Sequence, residues 1–447
     1  MTNEKYGLIG KTLVHSYSKE IHEALGRYQY QLFSLAEDEM PDFINARDFR
    51  GLNVTIPYKK DVIPLCDEVT DLARGIGAVN TLFWKNASGT GASESISQED
   101  KILVGHNTDY EGFLYAASRA GIDFEGKGVL ILGTGGTSLM ARRAAADQNA
   151  AKIYIASRHP ETDPPSGSKI QDAGILSTVS YDQLPEIAAS IDVIVNTTPV
   201  GTFPNNMQQV IRLKDFPGCQ AVIDVIYNPF KTALLLEAEK LGLKYTNGLP
   251  MLVAQATAAA GYFLGTPGAF QKENQRIIKS MQQQMGNIVL IGMPGTGKSI
   301  IGKLLAELTG KTLQDTDAKI EEEAEMTIPE IFEKEGEAGF RDRESAICKK
   351  LGKERNLIIA TGGGAILRPE NVAALRQNGT LVHITRSIDK LPTRGRPLSK
   401  NIEALKKMEA QRMPLYKSAA DITFRNNYTC SRKKLRQRVN TYILEKL

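Results

Sequence analysis

The chain has 447 residues, 42% of them hydrophobic and 24% charged, with a formal net charge of +4. These values describe an ordinary globular protein, exclude a disordered or collagen-like chain, and leave too little positive charge to argue for nucleic acid as a partner. At about 100–200 residues per domain, the length predicts two or three domains, each with its own core.

The four cysteines, Cys66, Cys219, Cys348 and Cys430, are far apart and form neither a C-x-x-C site nor a disulfide framework, and the five histidines add no metal pattern. The N-terminal Met-Thr-Asn-Glu-Lys carries no signal-peptide pattern, and no apolar run approaches the roughly 18 residues of a membrane span. The expectation is a cytoplasmic, reduced protein without membrane contact.

Taken in order, Tyr6–Ile9 reads as an opening strand, followed by His15-Ser16-Tyr-Ser18 and Ile21-His22. Ser16 and Ser18, two apart in an extended loop, turn both hydroxyls one way, as a carboxylate site or as a plain turn. In Gly51-Leu-Asn53-Val-Thr55-Ile-Pro57-Tyr-Lys59, an apolar strand ends at a proline and a lysine follows, at the kind of strand end where α/β folds bind ligands. Gly77-Ala-Val-Asn80-Thr81 opens another strand, Asn86 to Asp100 has the composition of a hairpin tip, and Val104-Gly-His-Asn107-Thr-Asp109 places an acid at a strand end.

A different pattern starts at Gly128-Val-Leu-Ile-Leu132, which runs into Gly133-Thr-Gly135-Gly136 and an alanine-rich helix. This strand, glycine turn and helix predict a dinucleotide-binding unit. The next strand, Ala151–Ala156, ends in Ser157-Arg158 rather than an acid. An arginine there pairs with the 2′-phosphate of NADP, where an acid would take the ribose hydroxyl of NAD. Two further apolar strands end in Asn196-Thr-Thr-Pro and in Tyr227-Asn228-Pro229, and both read as buried parallel strands. Gly248-Leu-Pro-Met251 then starts a helix on which Gln255 reads, by itself, as a residue of the wet side.

The helix-competent stretch Phe270–Gln284 closes this unit before a short linker near Gly286. A strand, Asn287–Ile291, then leads into Gly292-Met-Pro-Gly295-Thr296-Gly297-Lys298-Ser299 and a helix beginning at Ile300. G-x-x-x-x-G-K-S between strand and helix is the phosphate-binding loop: its backbone wraps a triphosphate, Lys298 reaches the β- and γ-phosphates, and Ser299 holds Mg²⁺. Asp315 and Asp317 end the next short strand, and their proximity to the loop predicts metal and substrate duties. Thr327-Ile-Pro-Glu330 is a capping box, and Phe340-Arg341-Asp-Arg343-Glu344 opens a helix. Thr361-Gly362-Gly363-Gly364 follows a buried strand, Arg394-Gly-Arg396-Pro-Leu398 sits in a loop suited to a lid, and Arg412-Met-Pro-Leu-Tyr416 lies in or beside a helix. Arginines grouped around a phosphate loop fit a substrate that carries a carboxylate beside a transferring phosphate. The basic C-terminal segment, Arg432–Arg438, reads as the solvated face of a final helix.

Two resemblances organise these motifs. Residues 5–270 carry HSxSxxIH, NVTIPYK, GAVNT, NTD, GxGGxS, NTTPVGT, YNPxxT and GLPMLVAQ, and so resemble shikimate dehydrogenase. The resemblance implies Lys59 and Asp109 as the catalytic pair, and Ser16, Ser18, Thr55, Asn80, Asp109 and Gln255, with Tyr227 nearby, around 3-dehydroshikimate. It also implies Gly133, Gly135, Gly136, Ser157, Arg158 and Gly248 as contacts of NADP(H). Residues 287–447 carry DTD, FRxxE, GGG, RPL and RxPLY and resemble shikimate kinase. Here the resemblance implies that Asp317 binds and activates the substrate hydroxyl, with Lys298 catalytic beside it, and that Asp315 and Ser299 serve Mg²⁺. Arg341, Gly363 and Arg412 would hold shikimate, while Gly295 to Ile300 and Arg396 would contact ATP. The chain departs from the dehydrogenase pattern at Tyr110 (usually Gly), at Lys19 (usually Pro) and in Ser157-Arg158-His159.

The expected fold class is therefore α/β: a two-lobed dehydrogenase followed by a kinase domain with a five-stranded parallel sheet. The substrate lobe spans 1–112 and is completed by 249–282, the Rossmann-like NADP domain spans 113–248, and the kinase spans 287–447. The expected partners are the small molecules 3-dehydroshikimate and shikimate, and no oligomeric state is specified. The competing readings are a quinate- or NAD-preferring first unit, a kinase for a different small polyol, or one half that is a non-catalytic regulatory module.

Overall fold

In the computed structural model, residues 4–13, 16–86, 101–162, 174–391, 402–427 and 431–447 are described. The hairpin tip expected at 86–100 (beyond Asn86), the lid arginines Arg394 and Arg396, and Cys430 lie outside them. The chain divides into two compact units, the first holding nearly all residues up to Lys279 and the second running from Ser280 to Leu447.

Among the described residues the first unit contains two sheets of six strands. One comprises β1 (Tyr6–Gly10), β2 (Tyr30–Ser34), β3 (Gly51–Val54), β4 (Glu68–Val69), β5 (Thr81–Asn86) and β6 (Lys101–His106), in the order β2-β1-β3-β5-β6-β4. It is mixed, because β5 runs antiparallel to both β3 and β6. The other comprises β7 (Gly128–Leu132), β8 (Lys152–Ser157), β9 (Leu176–Ser180), β10 (Val193–Asn196), β11 (Ala221–Asp224) and β12 (Lys244–Thr246). It is parallel throughout, in the order β12-β11-β10-β7-β8-β9. Side chains alternate across a strand, so an all-apolar strand must be covered on both faces. Val129 and Ile131 of β7 enter one core with Phe113 and Ala144, whereas Leu130 and Leu132 enter another with Ile194 and Leu235.

Two helices carry the chain between these sheets. Thr108–Arg119 follows β6, and Leu249–Phe263 follows β12 and returns to the first sheet, where Phe263 joins Tyr6 and Leu8. They pack closely at Gly112, where a Cβ would sit 2.5 Å from Met251 O. The domain boundary expected at 112/113 falls inside the first of these helices.

The second unit has a single described sheet: β13 (Asn287–Ile291), β14 (Thr312–Asp315), β15 (Leu357–Ala360), β16 (Gly379–Thr385) and β17 (Ile422–Arg425). All five strands are parallel, as the resemblance to shikimate kinase implies, and they lie in the order β14-β15-β13-β16-β17. Here too β13 splits its side chains, with Val289 and Ile291 in one core and Ile288 and Leu290 in the other. The helix expected to open at Phe340 is part of a longer run, Ile328–Lys353, broken at Gly336 by a non-helical backbone with φ 68°. Its N-terminus carries the expected capping box of Thr327 and Glu330. No helix among the described residues is long and apolar enough to cross a membrane, and Cys66, Cys219 and Cys348 are free thiols.

Candidate active sites

The first site is a cavity of about 400 Å³, lined by Ser16, Tyr17, Ser18, Asn53, Thr55, Lys59, Asn80, Asp109, Tyr227, Gly248 and Gln255 among others. Its centre is an ion pair, Lys59 Nζ to Asp109 Oδ2 at 2.5 Å, with both side chains partly buried. Lys59 comes from the turn after β3. Asp109 is not at a strand end as expected but is the second residue of the Thr108–Arg119 helix, where the N-terminal dipole favours a carboxylate.

Asn80 is fixed from several sides. Its Oδ1 accepts from Thr108 N (2.7 Å) and from the hydroxyls of Thr81 (2.9 Å) and Thr108 (3.2 Å). That use of the oxygen sets the amide orientation and leaves Nδ2 as the donor available to the cavity. Asn53, to which the sequence assigned no role, accepts from Tyr30 Oη at 2.7 Å and donates to Asn80 O and Thr81 Oγ1. Neighbouring His22 is completely buried, stacks on Tyr30 at 4.0 Å, and is driven by burial down to about 3, so it is neutral near pH 7.

Two further expectations are corrected here. Ser18 does not share an extended loop with Ser16: it opens the helix Ser18–Glu23, and Ser16 Oγ accepts from its backbone N–H at 3.3 Å, a local serine-to-backbone bond that competes with extension. Gln255 is not on a wet face but is buried against the Thr108–Arg119 helix and lines the cavity, because that helix packs over it at Gly112.

Beside this cavity, Gly133, Gly135 and Gly136 lie between β7 and the helix Gly136–Asp147, with Gly135 as its N-cap. A Cβ added at Gly135 or Gly136 would meet nothing within 4 Å, so the helix N-terminus is open to an anion. Gly248 is required for another reason: a Cβ there would lie 1.9 Å from Val225 O. Ser157 is buried at the end of β8, and Arg158 is exposed immediately after it.

The second site is a cavity of about 650 Å³ over the C-terminal ends of β13, β14 and β15. Gly295, Gly297, Lys298, Ser299 and Ile300 line it, with Asp315, Asp317, Arg341, Gly363 and Arg412 among the other lining residues. Gly297 has φ 96°, a left-handed backbone that suits glycine, and caps the helix Lys298–Thr309. Lys298 is buried and donates to Gly292 O and Met293 O, at 2.8 and 3.1 Å. Thr296 is buried and its hydroxyl donates to Met293 O at 2.9 Å, so its side chain is not offered to the cavity.

Ser299 Oγ donates to Asp315 Oδ2 at 3.1 Å, which brings together two oxygen ligands of the kind a hard cation takes. Asp315 Oδ1 caps the helix Thr316–Ala324 by accepting from Asp317 N, so Asp317, like Asp109, sits in a first helical turn and not at a strand end. Asp317 Oδ1 is buried without a hydrogen-bond partner, and its carboxyl is raised to about 6 by burial first, then by Asp315 and Glu344, with Lys298 opposing. Glu344 is raised by burial too, although Arg341 Nη1 donates to it at 2.7 Å. Arg412 Nη1 and Tyr416 Oη both donate to Gly363 O, at 2.8 and 2.6 Å. The site thus sets the guanidinium groups of Arg341 and Arg412 and the unpartnered carboxylate oxygen of Asp317 opposite a phosphate loop.

Known proteins divide along the same line. A family model described as the shikimate dehydrogenase substrate binding domain matches residues 8–82, and one described as shikimate kinase matches residues 294–447. The NADP(+) shikimate dehydrogenase of Caldicellulosiruptor bescii is 35% identical over 268 residues, covering 57% of this chain and 88% of the relative. The shikimate kinase of Nitrosomonas europaea is 48% identical over 145 residues, covering 31% of this chain and 69% of the relative. The chain belongs to the shikimate dehydrogenase and shikimate kinase families, in that order. Among solved structures, a chorismate mutase/shikimate 5-dehydrogenase fusion protein from Clostridium acetobutylicum is 32% identical, covers 63% of this chain and 98% of its own, and superposes with a TM-score of 0.54.

In the dehydrogenase unit, Tyr110, which replaces a glycine of the family pattern, donates from Oη to Asp147 Oδ2 at 2.8 Å, and Arg143 Nε holds the same carboxylate at 2.7 and 2.8 Å. The substitution is absorbed by a polar contact at the far end of the Gly136–Asp147 helix, outside the cavity. In the kinase unit, Glu344 is the residue whose role the sequence left unread. Its signal was present in the FRxxE spacing, since positions three apart on a helix share a face.

Proposed function

We propose that this chain is a bifunctional enzyme that reduces 3-dehydroshikimate to shikimate with NADPH and then transfers the γ-phosphoryl group of ATP to the 3-hydroxyl of shikimate, with Mg²⁺ as the metal. The observation that carries the reading is the presence in one chain of a Lys59–Asp109 couple in a hydroxyl- and amide-lined cavity and of a phosphate loop facing Asp317, Arg341 and Arg412. The product of the first reaction is the substrate of the second.

NADPH, when bound, supplies the hydride. Lys59 donates a hydrogen bond to the carbonyl oxygen, steadies the negative charge that develops there and hands it a proton, while Asp109 orients Lys59 and binds a ring hydroxyl. Ser16 and Ser18 hold the carboxylate, and Thr55, Asn80 and Gln255 the remaining hydroxyls, with Tyr227 closing the wall. The open N-terminus of the Gly136–Asp147 helix suits the pyrophosphate, and the exposed Arg158 favours a 2′-phosphate, hence NADP over NAD.

In the kinase unit Arg341 and Arg412 hold the shikimate carboxylate, the amide side of Gly363 borders it, and Asp317 accepts from the attacking hydroxyl. The unpartnered Asp317 oxygen is the acceptor such a hydroxyl needs. Lys298 leaves the loop carbonyls for the β- and γ-phosphates. Ser299 and Asp315 would hold Mg²⁺, which neutralises phosphate charge; two protein oxygens suffice because the nucleotide supplies others. Gly295 to Ser299 bind the phosphates, with Ile300 alongside and Arg396 as a further contact of ATP. The protein acts on small molecules in the cytoplasm, with residues 1–112 and 249–282 as substrate lobe, 113–248 as NADP domain and 287–447 as kinase.

One incubation tests both halves: purified protein with 3-dehydroshikimate, NADPH, ATP and Mg²⁺, followed at the NADPH absorbance and by mass spectrometry. Shikimate 3-phosphate is the expected product. Shikimate alone refutes the kinase assignment, and no NADPH consumption refutes the dehydrogenase assignment.

A further inference from the structure

One cation of the kinase cavity has no part in the chemistry above. Arg386 follows Thr385, the last residue of β16, and β16 pairs with β13, the strand that ends at the phosphate loop. The backbone after it is tied down: Ser387 N donates to Asn427 Oδ1 and Ser387 Oγ accepts from Asn427 Nδ2, both at 2.6 Å. The adjacent Asn426 donates to Thr296 O at 2.8 Å. Arg386 is therefore joined to the rim of the loop through two asparagines, and it lines the same cavity as Gly295, Gly297 and Lys298.

Its Nε is buried without an acceptor, and among the described residues no carboxylate or carbonyl pairs with the guanidinium. Arg376 and Arg438 also bury one nitrogen without an acceptor, but they bond through another, to Asp421 and to Arg425 O. Desolvating part of a guanidinium without a partner is unfavourable unless an anion completes it. Two anions enter this cavity on the reading above. The carboxylate is already served by Arg341 and Arg412, which cluster at Gly363 and Gly364. Arg386 is linked instead, through Ser387 and the neighbouring Asn427 and Asn426, to Thr296 in the phosphate loop.

The geometry points to Arg386 as a further binding residue for the phosphate chain of the nucleotide, an inference that rests on the kinase reading. Its planar fork can place two parallel N–H···O bonds on phosphate oxygens, which a lysine cannot.

The test compares Arg386→Gln and Arg386→Lys with the wild type in the full-length chain. The measurements are the Kd of Mg·ADP and Mg·ATP, the KM for ATP and for shikimate, and the dehydrogenase rate of the same preparations as a control for folding. The expected result is a loss of Mg·ATP affinity of about 10–50-fold in Arg386→Gln, partly recovered in Arg386→Lys, with the shikimate KM and the dehydrogenase rate unmoved. Nucleotide affinity within about twofold of wild type overturns the assignment, as does a shift confined to shikimate. A wild type that binds Mg·ATP yet phosphorylates no shikimate would sink the proposed function while leaving the binding comparison intact.

Discussion

Asp317→Asn should stabilise the kinase unit while abolishing its catalysis. In the folded protein the carboxyl is raised from 3.8 to about 6, chiefly by burial, and one of its oxygens is buried without a partner. A carboxyl with a raised folded value binds its proton more tightly when folded than when unfolded. Stability therefore falls as pH rises from about 4 through 6, and the full deficit persists above that. Two units at about 1.4 kcal/mol each set a ceiling near 3 kcal/mol, and structural relaxation brings the expected gain to about 2 kcal/mol. For a unit of this size that corresponds to a rise in Tm of about 4–8 °C at pH 8. The amide has nearly the shape of the carboxylate and retains no charge to desolvate. The assay is scanning calorimetry of both proteins at pH 4, 6 and 8, with EDTA present and nucleotide omitted so that no cation masks the effect. The kinase transition is identified in parallel scans by its shift with Mg·ADP. The gain should be largest at pH 8 and vanish near pH 4. A variant no more stable than wild type at pH 8, or a gain of equal size at pH 4, would refute the electrostatic reasoning.

Lys59→Met should lower the kcat of NADPH oxidation by about 10²–10⁴ and leave phosphorylation unchanged, as read by parallel spectrophotometric assays; loss of both activities would overturn the assignment of independent sites. Arg158→Gln should raise the KM for NADPH by about 10–100-fold with little effect on NADH, and an unchanged preference would remove Arg158 from the cofactor site. Tyr110→Phe deletes the hydrogen bond to Asp147 and should cost the dehydrogenase unit about 1 kcal/mol, seen as a lower urea midpoint for that unit alone. No shift there would mean that the contact is replaced by water.

Much of this protein was legible from one dimension. The phosphate loop, the dinucleotide strand–turn–helix and the all-apolar strands are local patterns, because each is enforced by backbone geometry within a few residues or by the period-2 alternation of a covered strand. The five parallel strands of the kinase unit were expected from the resemblance to shikimate kinase; local patterns alone marked only the strands around 287–291, 311–317 and 357–360. What tertiary structure decided was where polar residues end up once helices pack on one another. Gln255 reads as solvent-facing along its own helix and is buried only because the Thr108–Arg119 helix, packed close at Gly112, covers it. Asp109 and Asp317 look like strand-end acids, and they became first-turn helical residues because the helix starts within the motif itself. Asn53 acquires its place from Tyr30 and Asn80, which lie more than twenty residues away on either side and meet it only when β3 is sandwiched in the sheet. The same holds for Asp317, whose proton affinity is set by burial beside Glu344, a residue on a different helix. Sequence spacing names the groups that can do chemistry, but their desolvation and their partners come from chain segments that no local pattern connects.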